Sequence, residues 1–113
     1  MESFRPSGLS IEQAASTFAA LGSEQRLAVL RTLVRAGPEG LSIGQIGQRA
    51  GVTGSTLTHH MKILTQSGLV RQDKRGRSII CVADFDATRA LSDYLLQQCC
   101  ADADQPHKDH ADD

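Results

Sequence analysis

Apolar residues recur at helical spacing as far as residue 67, alternate for a short stretch after it, and then return to helical spacing. The first nine residues, with Pro6 and Gly8, predict a loose arm. From Ser10, a suitable N-cap, IEQAASTFAAL sets Ile11, Ala14, Ala15 and Phe18 on one stripe, and Gly22 closes the segment. Ser23 opens EQRLAVLRTLVRA, in which Leu27, Leu30 and Val34 recur on one side while Arg26, Arg31 and Arg35 stay outside. Gly37, Pro38 and Gly40 stop it. A short third helix is expected from Ser42 through Ala50, then a tight turn over Gly51-Val52-Thr53, then a fourth helix over 54–67 that ends at Gly68. There the period changes to two. LVRQDK and RSIICVA flank a turn near Arg75-Gly76, which predicts a β-hairpin. Asp84 or Asp86 can cap a last helix of roughly 86–101, with Leu91, Leu95 and either Tyr94 or Gln98 along one side. The remainder, 102–113, is polar, acidic and broken by Pro106, and is expected to be a disordered tail.

This order predicts a mostly α fold with one hairpin over 10–101, in a chain of 113 residues with room for one modest core. With one Tyr, three Phe and no Trp, that core must be made of Leu, Ile, Val and Ala, and a second copy of the chain is expected to complete it. The apolar stripes of the first and last helices are the expected dimer faces. No apolar run is long enough to span a bilayer, and MESFRPSGLS lacks the basic and apolar regions of a signal peptide, so a cytoplasmic location is expected. Charge is uneven. Residues 1–77 carry ten Lys/Arg against five Asp/Glu, and residues 78–113 carry two against eight. A basic front and an acidic back suit a protein that turns one face to a polyanion.

The third and fourth helices meet the requirements of a helix-turn-helix. Two helices crossing at a steep angle need a small residue at the approach, which is Gly47. The turn needs a residue tolerant of positive φ, which is Gly51, and the angle needs an apolar plug, which is Leu57. Laid out at helical spacing, His60, Met61 and Leu64 fall within about 60° of Leu57, while Ser55, Thr58, His59, Lys62 and Gln66 fall on the opposite side. Short hydrogen-bonding side chains early in such a helix can reach base edges, and cations further along can meet phosphates. Thr53 and Thr56 at its start and Ser42 at the start of the preceding helix join this candidate DNA-binding set. The hairpin adds Arg71, Lys74, Arg75 and Arg77 around its tip, opposed by Asp73, as a basic wing with Lys74, Arg75 and Arg77 as its DNA contacts. His60, at the edge of the buried stripe, is expected to pack and to bond the backbone rather than a metal.

The run Thr58-His59-His60-Met61-Lys62-Ile63-Leu64, followed by Gly68-Leu69-Val70 and by Gly76-Arg77, resembles the recognition helix and wing of the ArsR/SmtB family of winged-helix repressors. Met61 stands where that family usually has Leu. The resemblance extends over 10–101 and implies a winged helix-turn-helix that dimerises through its first and last helices on a palindromic operator and lets go when an inducer binds.

Three cysteines, Cys81, Cys99 and Cys100, are an odd count for a structural disulfide set. Where arsenic sensors of the family carry Cys-Val-Cys at the start of the third helix, this chain has Ser42, Ile43 and Gly44. Where zinc-type sensors use Asp and His in the last helix, Asp84 and Asp86 could begin the pattern, but no His follows in that helix. Cys99-Cys100 resembles the C-terminal vicinal pair of one arsenic-sensing branch, which implies that a trivalent arsenic or antimony species, As(III), Sb(III) or an organoarsenical, is the inducer. Neighbouring helical residues point about 100° apart, but a fraying last turn lets both thiols converge on one soft atom. Two thiolates suffice for an organoarsenical, whereas inorganic arsenite asks for a third. Cys81 is the candidate third sulfur, set against its place in an apolar strand, where a packing cysteine is common. His107 and His110 in the tail are read as non-functional. The alternatives are a redox or persulfide sensor that joins Cys81 to Cys99 or Cys100, and, less favoured, a small thiol enzyme or metal carrier. The enzyme reading lacks a base near the thiols and leaves the wing unexplained; no cofactor is expected beyond the inducer.

Overall fold

Ser10 opens the first helix as a capping box. Its hydroxyl accepts from the Gln13 amide while the Gln13 side chain accepts from the Ser10 amide. The computed structural model describes residues 8–103. Apart from residues 8–9 and 102–103, the expected arm and tail, with His107 and His110, lie outside the described residues. Helix α1 (Ile11–Ala20) is followed by α2 (Glu24–Ala36), a single 3₁₀ turn (Gly37–Glu39), strand β1 (Leu41–Ser42), α3 (Ile43–Ala50), α4 (Gly54–Gln66), strands β2 (Val70–Arg75) and β3 (Ser78–Ala83), and α5 (Phe85–Leu96). The strands form one antiparallel sheet in the order β1-β3-β2, with Leu41 opposite Cys81 and Arg75 opposite Ser78.

The core is the aliphatic one that the composition requires. Val29 and Leu33 of α2, Ile46 of α3, Leu64 of α4, and Leu69, Val70, Cys81 and Val82 around the sheet are fully buried. Burying each such side chain contributes about 1.5–3 kcal/mol, and these contacts hold the wing sheet and the helix-turn-helix to α2.

Four expectations are revised. The inward stripe of α2 is Val29, Leu30 and Leu33, while Leu27 and Val34 are exposed and Arg26 is half-buried. The helix carries apolar residues on more than one side, so tertiary packing selects the stripe. The hairpin is a three-stranded sheet, because Leu41-Ser42 pairs with β3 before Ser42 caps α3. Its tip is Gly76-Arg77, one residue later than expected, with Gly76 at φ +63°. The last helix stops at Leu96 instead of reaching 101. Gln97 turns to extended backbone, Gln98 and Cys100 lie at φ +66° and +65°, and a chain of turns follows.

Candidate nucleic-acid interface and thiol pair

The angle between α3 and α4 is set by contacts a few ångströms long. A Cβ on Gly47 would stand 2.7 Å from the Val52 carbonyl oxygen and 3.2 Å from Leu57, so only glycine lets the helices approach this closely. Gly51 ends α3 in the left-handed region at φ +74°. Leu57, His60, Met61 and Leu64 are buried beneath, which leaves Ser55, Thr56, Thr58, His59, Lys62 and Gln66 exposed on the outer side of α4, as the helical layout requires. Thr53, the N-cap residue of α4, is exposed and its side chain makes no capping bond. Ser42 differs: its hydroxyl accepts from the Gln45 amide and lies 3.3 Å from Gln45 Oε1, in a second capping box. An open groove runs between α4 and β2, floored by Ile43 and Met61 and rimmed by Thr58, Lys62, Gln66 and Gln72.

The wing cations are not equivalent. Asp73 lies 3.5 Å from both Arg71 and Arg75, which share its face of β2, and Arg75 also donates to the Glu39 carbonyl at 3.1 Å. Arg75 therefore straps the wing to the 3₁₀ turn. Lys74 and Arg77 are exposed near the tip. Both Glu39 and this strap were missed in the sequence, because a bond from a side chain to a distant carbonyl has no residue signature.

His60 is buried, as expected, but its partners are side chains and not the backbone. Nε2 lies 2.9 Å from Gln25 Oε1 and Nδ1 lies 3.5 Å from an Arg26 guanidinium nitrogen. Burial, the Arg26 charge and His59 hold its pKa below the ordinary histidine value.

The cysteines separate into two environments. Cys99 and Cys100 are exposed in the turns beyond α5, with their sulfurs 3.3 Å apart. Bonding to Cys99 and proximity to its charge push the Cys100 thiol upward, so the pair favours keeping a proton between its sulfurs. Cys81 is fully buried in β3. Its burial raises the thiol pKa, against a smaller lowering by the Gln72 side chain. Among the described residues no group of three or more Cys, His, Asp or Glu side chains is placed to hold an ion. Within one chain the structure brings Cys99 to Cys100 and does not bring Cys81 to either. Also among the described residues, no helix is long and apolar enough to cross a membrane.

Residues 21–73, which enclose α2, α3, α4 and the start of the wing, match a family model described as a helix-turn-helix domain. The chain is 39% identical, over 57% of its length and 63% of the relative's, to the uncharacterized HTH-type transcriptional regulator YceK of Bacillus subtilis (strain 168). It spans less than two thirds of the length of the curated relatives it matches. Among solved structures, an ArsR-like transcriptional regulator from Rhodococcus sp. RHA1 superposes with a TM-score of 0.69 at 29% identity, covering 82% of this chain and 84% of that one. A homodimeric winged helix-turn-helix DNA-binding domain from Mycobacterium bovis, described as a possible ArsR-family transcriptional regulator, shares the fold at 19% identity. Its TM-score is 0.62, over 88% of this chain and 98% of that one. Residues 21–73 thus match a helix-turn-helix domain within a winged-helix fold, and the chain resembles ArsR-type regulators in sequence and architecture.

Proposed function

We propose that the protein is a homodimeric, operator-binding repressor whose DNA grip is released when a trivalent organoarsenical bridges Cys99 and Cys100. The observation that carries the DNA half is the exposed polar face of α4, set over a buried apolar stripe and flanked by Lys74 and Arg77 on the wing. Ser55, Thr58 and His59 would read base edges, and Lys62 and Gln66 would meet the backbone. Dimerisation is supported by Ile11 on α1 and Leu95 and Leu96 on α5, which are 66–68% exposed in the single chain. A second copy covering them would set two reading helices about 34 Å apart, in successive major grooves of a palindrome.

Salt dependence tests the DNA half. With the duplex upstream of the protein's own reading frame, Lys74→Ala and Arg77→Ala should each lower the slope of log affinity against log salt by about one. Arg75→Ala should weaken binding with a smaller change of slope, because Asp73 and the Glu39 carbonyl already engage that guanidinium. Three equal slope changes would show that the strap opens and all three cations meet phosphate.

For the inducer, the pair offers two sulfurs and the described residues offer no third beside them. With bonds of about 2.3 Å, as for other thiolate-bound ions, and a near-right angle at the bound atom, the sulfurs would stand about 3.3 Å apart. The pair is already at that spacing. Phenylarsine oxide and the two thiols would give the dithioarsinite and one water, with no change of oxidation state. Arsenic X-ray absorption of the loaded protein should count two sulfurs per arsenic. Three sulfurs would bring in Cys81 or a second chain. The alternative in which oxidant joins Cys81 to the pair gains no support from a thiol buried in the sheet.

A further inference from the structure

His60 lies on the reading helix but on its inner side, where it cannot touch DNA. Its ring closes a chain of contacts across three helices. Gln25 and Arg26 at the start of α2 hold its two nitrogens, and the same Arg26 donates through Nε to the carbonyl of Ala20, the last residue of α1. Arg26 is therefore bonded at once to the end of the proposed dimer helix and to the back of the reading helix.

The partners fix the protonation state. A guanidinium has donors only, so Nδ1 must accept from Arg26. Gln25 Oε1 is an acceptor, so Nε2 must carry the hydrogen. Both contacts select one form, the neutral Nε2–H tautomer. A second proton would put an N–H on Nδ1, facing the guanidinium with nothing to accept it, and would set two cations side by side. The charged or titratable groups acting on His60 are Arg26 from α2 and His59 from α4 itself, and both oppose the protonated form.

We propose that His60 and Arg26 are positioning residues for the reading helix, and that their clamp holds only with a neutral imidazole, so acidification loosens the grip on the operator. This rests on the DNA-binding reading above. The sign follows from linkage. With the folded-state pKa held below the ordinary value of 6.5, the folded form prefers the unprotonated ring. That contribution is complete above the ordinary value and is lost as pH falls below it. His59 is exposed on the reading face, where it would meet DNA directly, so the test removes it.

The test is fluorescence anisotropy of the full chain on its operator duplex at constant ionic strength. In a His59→Gln background, affinity should fall by at least about threefold as pH is taken from about 7.5 to well below the ordinary histidine value of 6.5. His60→Ala should cost about tenfold at neutral pH, since it removes the ring that ties Gln25 and Arg26 to α4 and leaves Arg26 bonded to the Ala20 carbonyl alone. His60→Gln, whose amide can both accept from Arg26 and donate to Gln25, should recover most of that loss and bind independently of pH. Nitrogen-15 shifts of His60 in the native chain provide a readout that needs no variant, and should report the Nε2–H tautomer at neutral pH. The inference is overturned by affinity that is flat or rises on acidification in the His59→Gln background, or by an Nδ1–H tautomer. Failure to bind any duplex at any pH removes the proposed function and this coupling with it, whereas pH-independent binding removes the coupling alone.

Discussion

Serine at both 99 and 100 should leave a protein that holds its operator as before and ignores phenylarsine oxide. The native chain should lose about a hundredfold in affinity on adding the same compound, a coupling of about 2.7 kcal/mol. The effect is expected to be nearly all-or-none, because a hydroxyl is too hard and too weakly acidic to replace either thiolate on a soft ion. Neither cysteine packs in the core, and among the described residues the side-chain bond of each is to the other, so the substitutions should leave the DNA face undisturbed. Cys81→Ala is the counterpart. It removes a buried sulfur and should cost about 1 kcal/mol of stability, yet leave the response to the arsenical in place. The measurement is a gel shift with each variant, with and without the arsenical, in the absence of added thiols. Release of the double serine variant at the native concentration of arsenical would mean that the inducer acts elsewhere, and loss of the response in Cys81→Ala would move the site toward the sheet.

Why the thiol pair could be read from the sequence, while its setting could not, is a matter of range. Adjacent cysteines are adjacent in any conformation, and the helical layout of α4 needs nothing beyond its own residues to put Ser55, Thr58, His59, Lys62 and Gln66 outside. Gly47 and Gly51 were legible for the same reason, since the close approach and the left-handed turn lie within a dozen residues of each other. The end of α5 was not. Gln97-Gln98 is good helical sequence, and no Gly or Pro stands between Gly76 and Pro106, so nothing local announces that Gln98 and Cys100 go left-handed. Strand β1 is two residues long and exists only through a partner about 40 positions away. The neighbours of His60 are 34 and 35 residues away, and Arg26 looked like one more outward cation until α4 was laid across it. Packing between distant segments decided each of these. The buried state of Cys81 could be suspected from IICVA, but its separation from the pair could not.

Gly40→Ala is expected to be the most damaging single methyl group in the chain. Gly40 follows the 3₁₀ turn at φ +69°, ψ −171°, a region that is essentially closed to side chains. A Cβ there would stand 2.4 Å from the Cys81 carbonyl oxygen, 2.7 Å from an Ile80 methyl and 2.8 Å from a Val82 methyl. The obstacle is the backbone and inner residues of β3, the central strand, and not the mobile end of a surface side chain, so the clash cannot be relieved cheaply. Strain and overpacking together should cost about 3–5 kcal/mol, lowering the melting temperature by about 10 °C or more at fixed protein concentration. Gly44→Ala is the control. It lies in α3 at an ordinary helical φ with open space around its Cβ, so it should be neutral or stabilising by up to about 1 kcal/mol. The damage at Gly40 should also reach function, since the adjacent Glu39 carbonyl holds Arg75 and with it the wing. If Gly40→Ala melts as the native protein does, β3 and the 3₁₀ turn are not in contact as described, and the strap that orients the wing loses its anchor. If it melts early yet binds its operator normally in the cold, the fold of this corner stands and the wing is oriented by the sheet alone.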